Sequence, residues 1–138
     1  HPVNYYTHGT QVTAAHGHLA FFGAYVSLNI AIMTYAFPHI LRRDPYNQVL
    51  NMASFWVMTS AMTFMTFTLT FAGVVQTHLQ RVLGMNFMEV QDQLALFYWM
   101  RFGSGVVVIV GVLMWLYAML VSSKAKASAG IGSLAAAE

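Results

Sequence analysis

Three long stretches without Asp, Glu, Lys or Arg constrain this chain more than any other feature of its sequence. They run from the N-terminus to Leu41, from Pro45 to Gln80 and from Phe102 to Ser123. A helix needs about 20 mostly apolar residues to cross the hydrocarbon core of a bilayer, and each stretch provides them. The sequence therefore predicts an all-α membrane protein with three transmembrane helices.

The composition excludes several other classes of protein. Charged residues make up 7% of the 138 residues and hydrophobic residues 58%, whereas soluble globular chains carry about 25% charged residues. The same hydrophobic content excludes intrinsic disorder. Because the formal net charge is only +2, we expect no nucleic-acid partner, which would need a clustered basic surface. The absence of cysteine excludes disulfides, thiolate nucleophiles and iron–sulfur clusters.

The start of the sequence is unusual, because its first residue is His1 and not Met. No positively charged leader precedes a hydrophobic stretch, so no signal peptide is predicted. We expect the chain to be a segment or a processed piece of a longer protein.

The predicted helix boundaries follow from polar residues, glycines and prolines. Residues 13–37 form the first transmembrane helix, because Pro38 disfavours helix in the residue before it. The second and third transmembrane helices cover residues 49–78 and 88–122. The polar first turns of the third helix are expected at the membrane surface or against protein. The connecting parts are an outer approach segment at 1–12, a cytoplasmic loop at 38–48, an outer loop at 79–87 and a cytoplasmic tail at 123–138.

Basic residues set the predicted orientation, because loops on the cytoplasmic side carry an excess of Lys and Arg. The first loop and the tail share one side with Arg42, Arg43, Lys124 and Lys126, against Arg81 and Arg101 on the other. The first loop and the tail are therefore predicted to lie in the cytoplasm and the N-terminal segment outside it.

Small residues in the first and third stretches predict close helix contacts. They are Ala20, Gly23, Ala24 and Ser27 in the first stretch, and Gly103, Gly105 and Gly111 in the third.

The second stretch carries a stripe of methionines and a neighbouring stripe of threonines. Met58, Met62 and Met65 are interpreted as packing residues. Four threonines share a face and either line a path for protons or water, or bond their own preceding turn. We prefer the interpretation in which each hydroxyl bonds its own preceding turn. The four residues are Thr59, Thr63, Thr66 and Thr70.

His16 and His18 are the main candidates for metal chemistry, at the start of the first predicted helix. A helix turns by roughly 200° over two residues, so the two rings point apart and do not share one metal ion. Two diverging imidazoles fit two separate haem irons, one on each side of the helix. Gly17 between them would let a bulky neighbour approach. The spacing alone leaves open a second interpretation, in which both histidines bond backbone or water.

The other histidines carry weaker predictions. His8 lies in the polar approach segment and is interpreted as a surface residue or a residue that supports a ligand. His39 and His78 are expected at the membrane interface.

Two runs of residues resemble the catalytic subunit of cytochrome c-dependent nitric oxide reductase, a branch of the haem-copper oxidase superfamily. The first run, from Pro2 to Phe21, contains His-Gly-His, and the second covers Gln91–Arg101. The resemblance extends over essentially the whole chain. It implies that the three helices are the tenth, eleventh and twelfth of a twelve-helix bundle.

The resemblance implies roles for individual residues. His16 matches the axial ligand of the high-spin haem b3, and His18 matches one axial ligand of the low-spin haem b. His8 and Asn4 match positions near the haem propionates, and Arg81 is a further candidate for a propionate. In this family a non-haem iron beside haem b3 is held by three histidines and a glutamate on earlier helices, which this chain does not contain.

The function implied is part of an enzyme that converts two NO, two electrons and two protons to N2O and water. This segment alone is expected to be inactive. The implied partners are the remainder of the catalytic subunit, a membrane-anchored cytochrome c subunit and the lipid bilayer, in a bacterial cytoplasmic membrane. Two alternatives remain open: a segment of a haem-copper oxygen reductase, and a non-catalytic three-helix membrane subunit.

Overall fold

The computed structural model describes residues 2–41 and 47–120, and within these ranges the regular structure is helical. Three helices are long and apolar enough to cross a membrane: the first span (Gln11–Leu41), the second span (Gln48–Val82) and the third span (Ala95–Leu120). Two short helices, Pro2–Thr7 and Phe87–Gln93, precede the first and third spans. The predicted fold class is confirmed.

The second span lies at the centre and packs against both other spans. Its buried face includes the predicted methionine stripe, since Met58, Met62 and Met65 are 3%, 7% and 5% exposed. Met62 and Met65 form one hydrophobic cluster with Leu69 and with Ala15 of the first span. The interpretation of the methionines as packing residues is therefore confirmed.

Two glycines allow the close approach of the spans. A Cβ atom added to Gly73 would lie 2.9 Å from the carbonyl carbon of Gln11 and closer still to Val12. A Cβ atom added to Gly111 would lie 3.2 Å from the backbone nitrogen of Met58. A side chain at either position would force its neighbour to move, so these glycines set the distances between the spans.

Gly111 was among the small residues predicted to make close contacts and Gly73 was not, while five of the other predicted residues make no such contact within the described residues. A Cβ atom on Gly23, Gly103 or Gly105 would meet nothing within 4 Å, and Ala20 and Ala24 are exposed. These residues leave open surface on the first and third spans.

The threonines of the second span follow the preferred interpretation. Thr63, Thr66 and Thr70 donate their hydroxyl hydrogens to the carbonyl oxygens of Thr59, Met62 and Thr66 at 2.8, 2.9 and 2.8 Å. The hydroxyls of these three threonines are thus paired within their own helix, as preferred for the set that also includes Thr59.

The first span packs on the second through Gln11–Ala20 and then separates from it. A cavity of about 440 Å³ lies between the separated parts. Trp115 crosses to the first span and donates its Nε1–H to the Thr34 hydroxyl at 2.9 Å. A π-helical stretch, Phe21–Val26, connects the packed and separated parts of the first span.

The boundaries of the first span differ from the prediction at both ends. The predicted approach segment contains the helix Pro2–Thr7, and the first span begins at Gln11, where Thr10 accepts a hydrogen bond from the backbone of Val12. At its far end the helix continues through Pro38 to Leu41. Proline disfavours helix before it but does not forbid it. Inside a bilayer no water can replace a lost backbone hydrogen bond, so an apolar segment favours remaining helical.

The third predicted helix is divided at Leu94. The short helix Phe87–Gln93 begins with a capping box between Asn86 and Glu89. Leu94 has φ −92° and ψ 1°, outside helical values, and is 0% exposed beside Val90 and Ala72. The bend brings Val90 and Leu94 into one apolar cluster.

The second span ends in a π-helical stretch, His78–Val82, which carries Arg81. Gly84 follows with a φ of +67°, a conformation that glycine adopts without strain. The residues that determine the predicted orientation, Arg42, Arg43, Lys124 and Lys126, lie outside the described residues, as does the predicted tail. The orientation therefore stays a prediction.

Candidate functional site

His16 and His18 lie on different sides of the first span. His18 is half-buried and lines a cleft between the first, second and third spans, whereas His16 is exposed. This arrangement agrees with the roughly 200° of rotation between residues two apart in a helix. Gly17 has nothing within 4 Å of an added Cβ atom, so the backbone between the two rings is open to a neighbour.

The cleft beside His18 has a volume of about 530 Å³ and mostly apolar walls. Met65 comes from the second span, and the rest of the wall is one face of the third span. The lining residues besides His18 are Met65, Tyr98, Arg101, Phe102, Gly105, Val106 and Ile109. Gly105 widens the cleft, because an added Cβ atom there would meet nothing within 4 Å.

For the neutral ring of His18, one tautomer satisfies the hydrogen bond that the ring makes. Its Nδ1 lies 2.8 Å from the carbonyl oxygen of Ala14, one turn earlier in the helix. A carbonyl oxygen only accepts, so Nδ1 carries the hydrogen and donates it. The other nitrogen, Nε2, then has its lone pair available, which is the arrangement found in metal-bound histidines.

A hydrogen-bond network closes the cleft at the end where the first span begins. Gln11 donates from its side-chain Nε2 to the hydroxyl of Tyr98 at 3.2 Å, and Tyr98 donates that hydroxyl to Oε1 of Gln91. The backbone N–H of Gln11 donates to the buried Oε1 of Gln76 at 2.9 Å. The network joins the first span, the second span and the short helix before the third.

One atom of this network stands out. The side-chain oxygen of Gln11 is buried and has no hydrogen-bond partner among the described residues. A buried acceptor without a partner is rare in native proteins. Since Gln11 and His18 are seven residues apart, they share one face of the helix.

A π-helical stretch follows His18 directly. The backbone N–H of Phe21 donates to the carbonyl oxygens of Gly17 and His18, and the Ser27 hydroxyl donates to Phe22 at 2.8 Å. Short π-helical segments occur frequently at functional sites, because they change the direction in which the following side chains point. No sequence signal marks this segment.

The other predicted site residues lie outside the cleft. His8 and Asn4 are exposed, and the backbone N–H of His8 donates to the carbonyl of Asn4 at 2.9 Å. Arg81 is exposed on the π-helical stretch that ends the second span. None of the three is among the residues that line the cleft with His18.

His39 and His78 are also exposed. His39 donates its Nδ1–H to the carbonyl of Tyr35 at 2.8 Å and its ring lies 4.7 Å from that of Tyr35. Neither histidine lines the cleft.

Tyr98 and Arg101 were not predicted as site residues from the sequence. Their spacing of three in a helix places them on one face, and that face could have been recognised from the sequence. Nothing in the sequence shows that the same face meets His18.

Clusters of three or more His, Asp or Glu side chains that could hold a metal ion do not occur within residues 2–41 and 47–120.

Comparison with known proteins gives a matching family and a similar protein of known name. The family described as cytochrome c and quinol oxidase polypeptide I matches residues 1–107. The chain is also 47% identical over 124 residues to a nitric oxide reductase polypeptide of Stutzerimonas stutzeri, covering 84% of this chain and 26% of that protein. The chain thus spans about a quarter of the length of this relative. The resemblance seen around His16 and His18 is confirmed by both matches.

Proposed function

The chain belongs to the cytochrome c and quinol oxidase polypeptide I family, the haem-copper oxidases, and on this premise we propose that it is part of the catalytic subunit of a respiratory nitric oxide reductase. In this proposal its role is to supply axial histidines to two haems. The observation that carries the proposal is the placement of His16 and His18 on different sides of one helix, with His18 in an apolar cleft.

The surroundings of His18 fit a low-spin haem b. The apolar walls suit a large planar group, and Gly105 leaves space for it on the third span. Because Nδ1 is engaged by the hydrogen bond to Ala14, Nε2 is the His18 nitrogen that would bind the iron. A haem held in this way would supply electron transfer, while the protein fixes the ring orientation and excludes water.

His16 is proposed as the axial ligand of the high-spin haem b3. Its ring is exposed within this chain, so the pocket for this haem would be completed by the remainder of the catalytic subunit. That remainder would also supply the non-haem iron and the second ligand of haem b. The overall reaction would convert two NO, two electrons and two protons to N2O and water.

Apolar side chains exposed on the spans indicate that lipid or other protein covers them. No residue in the most apolar part of the first span is buried within the chain, and Phe21, Tyr25 and Leu28 are 69%, 64% and 60% exposed. Such surface is stable only against lipid or other apolar helices. We propose the remainder of the catalytic subunit and the bilayer of a bacterial cytoplasmic membrane for these roles, with a membrane-anchored cytochrome c subunit as electron donor.

An oxygen reductase is the second candidate, because the description of the matching family refers to oxidases. It differs in the metal beside the high-spin haem, which would be copper and not iron. The 47% identity to a nitric oxide reductase polypeptide favours the first candidate. Metal analysis of the purified subunit distinguishes the two.

The test is NO consumption and N2O formation by the purified full-length subunit with its cytochrome c partner. We expect His16→Ala and His18→Ala each to abolish turnover, while His39→Ala retains it, because His39 lies in the last turn of the first span, at the end away from His16 and His18. The isolated chain is expected to show no turnover. If both His16→Ala and His18→Ala retain the haem spectrum and turnover, the chain is a structural subunit and the proposal is wrong.

A further inference from the structure

The cavity of about 440 Å³ between the first and second spans is separate from the cleft beside His18, because no described residue lines both. We call it the Thr59 cavity. On the second span it is lined from Asn51 to Thr59, which corresponds to about 12 Å along the axis of a helix. Since the second span begins at Gln48, the Asn51 end of the cavity lies one turn from the end of the bundle. The Thr59 end lies deeper in the bundle.

Contacts at both ends of the Thr59 cavity fix the separation of its walls. At the deep end, Phe22 packs against the hydrophobic cluster that contains Met62 and Met65. The π-helical stretch that includes Phe22 then connects to the part of the first span that is separated from the second. At the other end, Trp115 donates its Nε1–H to the Thr34 hydroxyl at 2.9 Å. The cavity is therefore held open by the packing of the three spans.

Three half-buried side chains that line the cavity keep hydrogen-bonding groups without a protein partner. In the threonine stripe of the second span, the Thr59 hydroxyl is the one that does not bond its own preceding turn or any other described residue. The Asn51 amide likewise has no partner within the described ranges. The Thr34 hydroxyl accepts from Trp115 and retains its own hydrogen.

The free groups of Asn51 and Thr59 face open space. Within residues 2–41 and 47–120, the Gln11 oxygen is the one enclosed side-chain atom that lacks a partner. The Asn51 amide and the Thr59 hydroxyl are therefore accessible to a small molecule in the cavity.

The polar groups favour one kind of occupant. A lipid acyl chain in the cavity would cover the Asn51 amide and the Thr59 hydroxyl without bonding them, which costs free energy. Water molecules bind in cavities that have room and offer each of them about two to four polar partners. The hydroxyls of Ser27 and Ser54 donate to backbone carbonyls at 2.8 and 2.7 Å, so their oxygens remain free to accept from water.

We propose that the Thr59 cavity is a water-binding recess, which opens at the end of the bundle where the second span begins and closes at Phe22 and Met58. This inference goes beyond the proposed function and does not depend on a haem at His18. Met58 is 3% exposed and closes the side towards the third span, where a Cβ atom on Gly111 would meet it.

An apolar layer separates the recess from the cleft beside His18. Phe22 lines the recess, and it packs against the cluster whose member Met65 lines the cleft. The layer of Phe22, Met62 and Met65 offers water no polar partner. The recess therefore ends short of the cleft.

The experiment measures whether water reaches each end of the recess in the full-length subunit. Asn51→Cys and Thr59→Cys each add a single thiol to this chain, which has no cysteine, in a subunit whose other reactive cysteines have been replaced. A charged methanethiosulfonate reagent, applied to permeabilised membranes, reacts with the thiolate form and travels through water. Thr66→Cys is the matched control, because Thr66 is a half-buried threonine of the same span that bonds the carbonyl of Met62 and does not line the cavity.

We expect the charged reagent to modify Asn51→Cys and Thr59→Cys and to leave Thr66→Cys unmodified. A blocking variant tests the route. Ala31→Phe, placed on the wall formed by the first span, should abolish the modification of Thr59→Cys because its ring fills the recess. Ala24→Phe should not, since Ala24 is exposed and outside the cavity. An unchanged haem spectrum in each variant shows that the subunit is assembled.

Three results would overturn the inference. If neither Asn51→Cys nor Thr59→Cys reacts, other protein or lipid fills the cavity. If Thr59→Cys reacts only with an uncharged, lipid-soluble maleimide, the occupant is an acyl chain and not water. If Thr66→Cys reacts as fast as Thr59→Cys, or Ala31→Phe changes nothing, the reagent does not travel through the recess.

Two further points keep the test decisive. If Thr59→Cys does not assemble, Ile30→Cys replaces it, because Ile30 lines the same cavity from the first span. The labelling requires no turnover, so its failure leaves the proposed function untouched. Conversely, loss of the haem assignments of His16 and His18 leaves the labelling result valid.

Discussion

His16 and His18 are separated by a single glycine, yet of the two only His18 lines the cleft between the first, second and third spans. His16 is exposed on another side of the same helix. If both rings bind haem iron, the two haems lie on different sides of one helix, and each histidine acts on its own haem.

The first prediction therefore concerns separate losses in the full-length subunit. His18→Ala should remove the low-spin haem signal and stop electron delivery, while the high-spin haem persists. His16→Ala should remove the high-spin signal and NO binding, with the low-spin spectrum largely kept. Optical and electron paramagnetic resonance spectra of each variant measure this. The reverse pattern would show that the two assignments are exchanged.

The second prediction uses the open space at Gly105. Gly105→Leu should block the cleft and reduce low-spin haem content, because the new side chain projects among the lining residues. Gly103→Leu is the matched control, since an added Cβ atom there also meets nothing within 4 Å and Gly103 is not in the cleft. Haem content per protein molecule is the measurement. Equal haem content in both variants would show that the haem does not occupy this cleft.

The third prediction concerns the contact between the first and second spans. Gly73→Ala should lower the free energy of unfolding by about 1–3 kcal/mol, the usual cost of overpacking, because its Cβ atom would overlap Val12. Gly103→Ala should have little effect, since its surroundings are open. Thermal unfolding in detergent compares the two variants. Similar stability in both would contradict the close contact at Gly73.

The fourth prediction concerns the hydroxyl of Tyr98. Tyr98→Phe leaves the amides of Gln11 and Gln91 without a partner, so we expect a loss of about 1–3 kcal/mol of stability. Tyr117→Phe is the control, because Tyr117 is 58% exposed on the same span. Denaturation in detergent gives both values. A loss of the same size in Tyr117→Phe would mean that the network contributes nothing specific.

The fifth prediction is the orientation in the membrane, which rests on the distribution of Lys and Arg. The chain has no cysteine, so single substitutions of Asn4 and Gln48 by Cys give clean labelling sites within it. An impermeant thiol reagent should label Asn4→Cys from outside the cell and Gln48→Cys only after the membrane is opened. Labelling of Gln48→Cys from outside would reverse the orientation.

Some departures from the predicted helix boundaries share one cause. The first span continues through Pro38, and the third predicted helix is divided at the buried Leu94. The sequence signals used for these boundaries are local, whereas backbone pairing and burial are satisfied across the whole bundle. The π-helical stretch Phe21–Val26 likewise carries no mark in the sequence.

The sequence by itself determined the three spans and the divergence of His16 and His18. Both follow from local rules: the length of apolar helix that crosses a bilayer, and the rotation per residue in a helix. Only the tertiary structure decided that Tyr98 and Arg101 join His18 in one cleft. It also decided that Gly73 and Gly111, and not Gly103 or Gly105, carry the close contacts. The physical reason is that helix periodicity fixes which residues share a face, while the pairing of faces depends on the packing of side chains from distant parts of the chain.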